Sequence, residues 1–125
     1  MSQIFLTLAA IFGSSSVAAG AFAAHALKEK ISEHYLEIFQ VGARYQMYHA
    51  LALFLVAVLI ISTQSQTSLV VSGWLFVIGI LTFSGSLYAL SLTGIKILGA
   101  IAPIGGFAFI VGWLSLAVAA WNLKV

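Results

Sequence analysis

The chain of 125 residues has no cysteine, a single proline, and charge on only 6% of its positions. Without thiols there is no disulfide framework, no thiolate metal site and no cysteine nucleophile. The scarcity of charge excludes more. A typical soluble domain is about 25% charged and about 45–50% apolar, whereas 62% of this chain is hydrophobic, which leaves too little polar surface to cover a soluble globule. The net charge of +2 is too small to argue for nucleic acid, and no nucleic-acid partner is expected. No nucleophile elbow, phosphate loop, dinucleotide fingerprint or HExxH motif occurs. Neither enzyme activity nor a cofactor or metal is therefore expected.

What the chain has instead is long apolar stretches. About 20 residues at 1.5 Å rise cross a hydrocarbon core of about 30 Å, and four segments qualify: about 4–24, 45–61, 69–92 and 97–121. The expected fold is all-α, a four-helix transmembrane bundle forming one integral membrane domain over 1–125. Segment one has no lysine or arginine in Met1-Ser2-Gln3, so it lacks the basic start of a secretory signal and is expected to be retained.

Lysine and arginine in short loops resist crossing the bilayer. The connections near 25–44 and 93–97 hold Lys28, Lys30, Arg44 and Lys96, against only Lys124 on the other side. This predicts a cell (inner or plasma) membrane protein with those two loops in the cytoplasm and both termini outside. The uncharged turn at 62–68, with Trp74 and Trp121 in an aromatic belt, fits the outer side. Within the 25–44 loop, Ile31, Tyr35, Ile38 and Phe39 form one apolar stripe at helical spacing. It reads as a short amphipathic interfacial helix between spans one and two, with "ISEH" or Ser32 as its start. A simple extension of segment two, bent at Gly42, is the alternative.

Helix association in lipid depends on close packing of small residues and a few hydrogen bonds. Ala9, Gly13, Ser16, Gly20 and Ala24 make such a seam in segment one. Segment four offers Ala102 and Gly106 and, on another face, Ala108 and Gly112, with Pro103 removing a backbone donor in its first turns. In "FSGSLYAL" (83–90) the hydroxyls of Ser84 and Ser86 are expected to bond to carbonyls of their own helix or a neighbour. The ionisable and irregular elements share the cytoplasmic half: His25, Arg44 to His49, Ser84 to Tyr88 and Pro103 to Gly106.

His25, Arg44, Tyr45, Gln46, His49, Ser84, Ser86, Tyr88 and Pro103 are thus the candidate polar cluster, functional or interhelical. His49 lies one turn inside segment two and needs a partner. As a proton relay or ligand contact it would pair with His25, Tyr88 or the serines; as a structural group it would donate to a carbonyl. His25 and Glu29 with His49 reach the number of ligands of a zinc site, yet nothing joins Glu29 to segment one without a break. Arg44, with Tyr45 and Tyr48, reads as a headgroup-level anchor, and alternatively as a clamp for an anionic head.

The combination "GAFAAHALKEK" (20–30), "YQMYHALALFLV" (45–56), "GWLFVIGILTFSGSLYALSLTG" (73–94) and "APIGGFAFIVGWL" (102–114) resembles the bacterial family called domain of unknown function 423. That family of small multi-pass membrane proteins looks related to the eukaryotic transmembrane protein 256. The resemblance covers nearly the whole chain and implies a four-helix inner-membrane protein, with no reaction attached. Its motif positions fall on Gly20, His25, Tyr45, Gln46, His49, Ser84, Gly85, Ser86, Tyr88, Pro103, Gly105, Gly106 and Trp113, while Ala23 and Ala26 stand where the family commonly has glycine. The expected role is non-enzymatic, through packing against itself, lipid or a membrane-protein partner. A small proton or solute transporter or channel subunit, which would need an oligomer, is the alternative. A membrane enzyme using His25 and His49 is a third.

Overall fold

Inside a bilayer every backbone N–H and C=O must find its partner within the protein, and the helix does this locally. A computed structural model describes residues 1–64 and 66–124; position 65 of the expected polar turn and position 125 lie outside them. Four helices are long and apolar enough to cross a membrane. Span one is α1 (Ser2–His25) and span two is α2 (Glu33–Ser62). Span three comprises α3 (Thr67–Gly79), one π-helical turn (Ile80–Ser84) and α4 (Gly85–Thr93). Span four is α5 (Ala102–Trp121), entered through a short 3-10 turn, Lys96–Ala100.

Pro103 sits in the first turn of α5, where its missing N–H would have had no helical partner in any case. Span three ends at Gly94, which adopts a left-handed conformation with φ 71°, the usual glycine stop.

The separate interfacial helix expected between spans one and two is not formed. Its residues are the first turns of α2, which starts at Glu33 with the Ser32 hydroxyl accepting from the Tyr35 N–H at 3.3 Å. The helix then runs unbroken through Gly42 to Ser62. The physical reason is that the apolar stripe finds protein instead of membrane surface. Phe39 packs with Ala23 and Leu27, joined by Ile31, Leu36 and Tyr88. Gly42 does not bend α2 but admits a neighbour: a Cβ there would lie 3.0 Å from Tyr88 Cε1.

The helices alternate in direction. α1 lies chiefly against α2, span three against both α2 and α5. A large apolar core gathers Phe5, Leu53, Val56, Leu69, Phe76 and Phe109, among others, toward the end holding the 62–67 connection. The smaller core around Ala23, Leu27 and Phe39 lies toward the end holding Lys28, Lys30 and Lys96, called here the basic end. Between the two cores lies a layer of hydrogen-bonded polar side chains.

The small-residue seams differ from expectation in detail. α1 buries Phe5, Ala9, Ser16 and Ala23. Gly13 and Gly20 fall beside that stripe, where a Cβ would touch nothing. In α5 Gly112 packs closely, as expected, where a Cβ would come within 2.9 Å of Phe76 Cε1, and the other close approach is made by Gly105 rather than Gly106. A Cβ on Gly105 would come within 2.6 Å of Thr82 Oγ1 and 2.7 Å of Phe83 Cβ, whereas one on Gly106 would meet only the Phe83 ring at 3.8 Å.

Candidate functional site

The polar layer is organised by Gln46, one of few amides in the spans, which is 5% exposed. Its Nε2 donates to the Phe12 carbonyl at 2.8 Å and to Ser15 Oγ at 2.7 Å, while its Oε1 accepts from the Tyr88 hydroxyl at 2.6 Å. Ser15 Oγ itself donates to the Ile11 carbonyl at 2.8 Å, so it meets Gln46 as an acceptor and the amide orientation follows. One side chain of α2 thereby ties α1 to α4. Two serines repeat the device. Ser16 donates to the Ala43 carbonyl and Ser84 to the Gly42 carbonyl, each at 2.7 Å.

His49 faces the other way, toward α5. Its Nδ1 lies 2.7 Å from the Tyr45 carbonyl, which can only accept, and its Nε2 lies 3.0 Å from Trp113 Nε1, which can only donate. The ring is therefore the neutral tautomer with its proton on Nδ1. It stacks on Phe109 with centroids 3.5 Å apart and planes 7° from parallel.

The predicted cluster thus divides. Gln46, Tyr88 and Ser84 join the layer on one flank of α2, and His49 with Tyr45 forms a second group on the other flank. Ser86 bonds to the Phe83 carbonyl of its own span at 2.9 Å. Arg44 is exposed and paired with Glu37 at 3.2 Å. Extended toward the basic end, its guanidinium follows the snorkelling geometry of a long cation in a span. His25 is exposed at the end of α1, ten residues or about 15 Å along the axis from Ser15, and does not meet His49. Among the described residues no three His, Cys, Asp or Glu side chains group as a metal site requires.

Depth also needs correction. At 1.5 Å per residue the 24 residues of α1 run about 36 Å, and Phe12 and Ser15, which Gln46 bonds, stand at its middle. Trp113 likewise stands near the middle of α5. Gln46 and His49 therefore lie near mid-height in the bundle, not in the half toward the basic end. The displacement arises because α2 begins at Glu33, some twelve residues before the apolar run that marks it in the sequence.

Sequence reasoning did not assign partners to Phe12, Ser15, Ser16, Gly42 or Phe109. It noted Trp113 only as a motif position. A tryptophan in mid-span, unlike Trp74 and Trp121, carries an N–H that must be satisfied away from any interface, and that was the available signal.

A cavity of about 790 Å³ lies on the flank of the bundle between α2 and α5. His49, Phe83 and Phe109 floor it, Tyr45 and Tyr48 wall one side, and Phe107, Ile110 and Trp113 the other, with Pro103 and Gly106 at its lower end. Tyr48, Phe107 and Ile110 are 52%, 68% and 59% exposed, so the cavity opens sideways through side chains that face outward from the bundle.

A family model described as "Protein of unknown function (DUF423)" matches residues 19–106, which include Gln46, His49, Ser84, Tyr88 and Pro103 but stop short of Trp113. UPF0382 membrane protein YwdK of Bacillus subtilis (strain 168) is 49% identical over 118 residues, covering 94% of this chain and 96% of that protein. UPF0382 membrane protein SAB0533 of Staphylococcus aureus (strain bovine RF122 / ET3-1) is 47% identical over 120 residues, covering 96% and 97%. No solved structure matches. With four membrane-spanning helices and relatives of the same length that are named membrane proteins, the chain is a multi-pass membrane protein and belongs to the DUF423 family.

Proposed function

We propose that the protein is a non-enzymatic component of the cell membrane that acts sideways in the bilayer, offering its helix flanks to lipid or to a membrane partner. Both termini lie outside in this reading, because Lys28, Lys30 and Lys96 crowd the opposite end against Lys124 alone. The observation that carries the proposal is the cavity between α2 and α5, whose walls are outward-facing side chains of the two helices.

The polar layer supports the same reading. A proton or solute pathway needs groups free to exchange partners, whereas Gln46, His49, Ser84 and Tyr88 are each committed to a partner inside the chain. Among the described residues no fully buried side-chain nitrogen or oxygen lacks a hydrogen bond.

Two measurements test the proposal. A photo-crosslinking residue at Phe107 or Ile110 is expected to capture lipid or a neighbouring protein in cells, while one at buried Ala23 captures nothing beyond the chain. Liposomes holding the purified protein are expected to leak protons and small solutes no faster than empty ones. Flux that disappears in His49→Ala would replace the proposal with transport, and silence at both crosslinking positions would remove its basis.

A further inference from the structure

The flank cavity has a chemistry that narrows its occupant. Nearly all of its lining is hydrocarbon, and most of the polar atoms it contains are already used: His49 Nδ1 bonds the Tyr45 carbonyl and His49 Nε2 the Trp113 indole. Two donors remain. The hydroxyls of Tyr45 and Tyr48, whose rings meet edge to face at 5.6 Å, have no hydrogen-bond partner among the described residues.

Their depth makes this unusual. Tyrosines in spans collect at the membrane interface, where the hydroxyl reaches water. Tyr45 and Tyr48 flank Gln46, at mid-height of the bundle. Helical side chains lean toward the helix N-terminus, here the basic end, by about one turn, so both hydroxyls fall within about 10 Å of mid-height. Half the hydrocarbon thickness is about 15 Å. With the bilayer centred on the bundle, two phenols on one side of the cavity therefore sit within the hydrocarbon, away from the acceptors that water and headgroups supply.

We propose that this cavity binds a membrane-dissolved molecule with a flat, uncharged, carbonyl-bearing head, of the isoprenoid quinone class, with the Tyr45 and Tyr48 hydroxyls donating to its carbonyls. The inference rests on the sideways reading above and names the ligand class for it. Phospholipid ester carbonyls lie at the edge of the hydrocarbon, too shallow for these donors, and a carboxylate head would lose its hydration at this depth. A quinone ring carries acceptors without charge and partitions into the bilayer interior. The cavity fits such a head together with part of a tail, since binding sites of about 300–1,000 Å³ hold molecules of that size. The stacked rings of His49 and Phe109 line it, and the absence of a side chain on Gly106 leaves the α5 wall low.

The full chain in lipid nanodiscs, carrying Trp74→Phe and Trp121→Phe, leaves Trp113 as the one tryptophan, at the cavity wall. Titration with decylubiquinone, a short-tailed benzoquinone, is expected to quench its emission saturably. Tyr45→Phe with Tyr48→Phe keeps both rings and is expected to weaken binding by roughly tenfold or more, as the loss of two hydrogen bonds would. Gly106→Leu, which fills the cavity without touching the polar layer, is expected to abolish saturation. The ligand-free emission maximum of Trp113 should be the same in both variants, which reports that the His49 bond, and with it the fold, persists. Quenching that is linear in quinone, or equally strong in all three proteins, overturns the proposal. So does saturable binding of oleate without binding of the quinone, an outcome that would leave the sideways reading in place. Shifted ligand-free emission would move the test to Ile110→Phe in the same background, where retained saturable quinone binding would again overturn the proposal.

Discussion

Gln46 shows what one amide can do in hydrocarbon. Both of its N–H bonds and one lone pair are spent on three partners from two other helices. Interhelical hydrogen bonds in membranes average about 0.6 kcal/mol and reach about 1.7, so no single bond decides the fold. Their convergence on one side chain makes them act together. A cycle of Gln46→Leu, Tyr88→Phe and the double variant, read by unfolding in mixed micelles, is expected to give a coupling of about 0.6–1.7 kcal/mol, with Gln46→Leu the more damaging single change because it frees Tyr88, Phe12 and Ser15 together. Additive effects would mean that the amide and the phenol are independent. The sequence made it legible that Gln46, His49, Ser84 and Tyr88 must find partners, because polarity within an apolar run demands it. Which partner each finds depends on how the helices are rotated about their axes, and one sequence does not carry that. His49 met Trp113 rather than His25 or Tyr88 for this reason.

At the scale of elements, apolar length identified the four spans and the residues just before span two were misassigned. The apolar stripe of Ile31, Tyr35, Ile38 and Phe39 marked them as an interfacial helix, yet helix continuity and the packing of Phe39 on Ala23 and Leu27 draw them into α2. Small-residue spacing found the right helices and, in Gly112, one closely packed glycine, but it also chose Gly13, Gly20 and Gly106, since spacing cannot tell the buried side of a helix from the side next to it. The distinction is measurable. Gly105→Ala drives a methyl into Thr82 and Phe83 and is expected to lower stability by about 1–3 kcal/mol, the usual cost of overpacking. Gly13→Ala and Gly20→Ala meet empty space and are expected to fold as well as the parent or slightly better, because alanine favours helix. Thermal or denaturant midpoints in detergent read both. A destabilised Gly13→Ala monomer would show that α1 packs differently.

The whole molecule is two apolar cores held in register by a polar layer, with most of its basic groups toward one end and Lys124 at the other. Its lack of cysteine makes the proposed orientation simple to test, because any thiol introduced is the only one. Ser2→Cys is expected to react with an impermeant maleimide in intact cells, and Lys30→Cys only after the membrane is opened. The reverse pattern would place the termini inside. The π-helical turn at Ile80–Ser84 acts on this same scale. A turn of that kind holds one residue more than an α-helix would use, so it works as a phase shifter for everything that follows it in span three. Removing one residue there would restore a regular helix and swing Gly85–Thr93 by about 100°. Such a chain would be just as hydrophobic and would cross the membrane as readily, but the Tyr88 phenol would no longer point at Gln46. The single extra residue is what allows one rod to address α5 along its first half and α2 along its second.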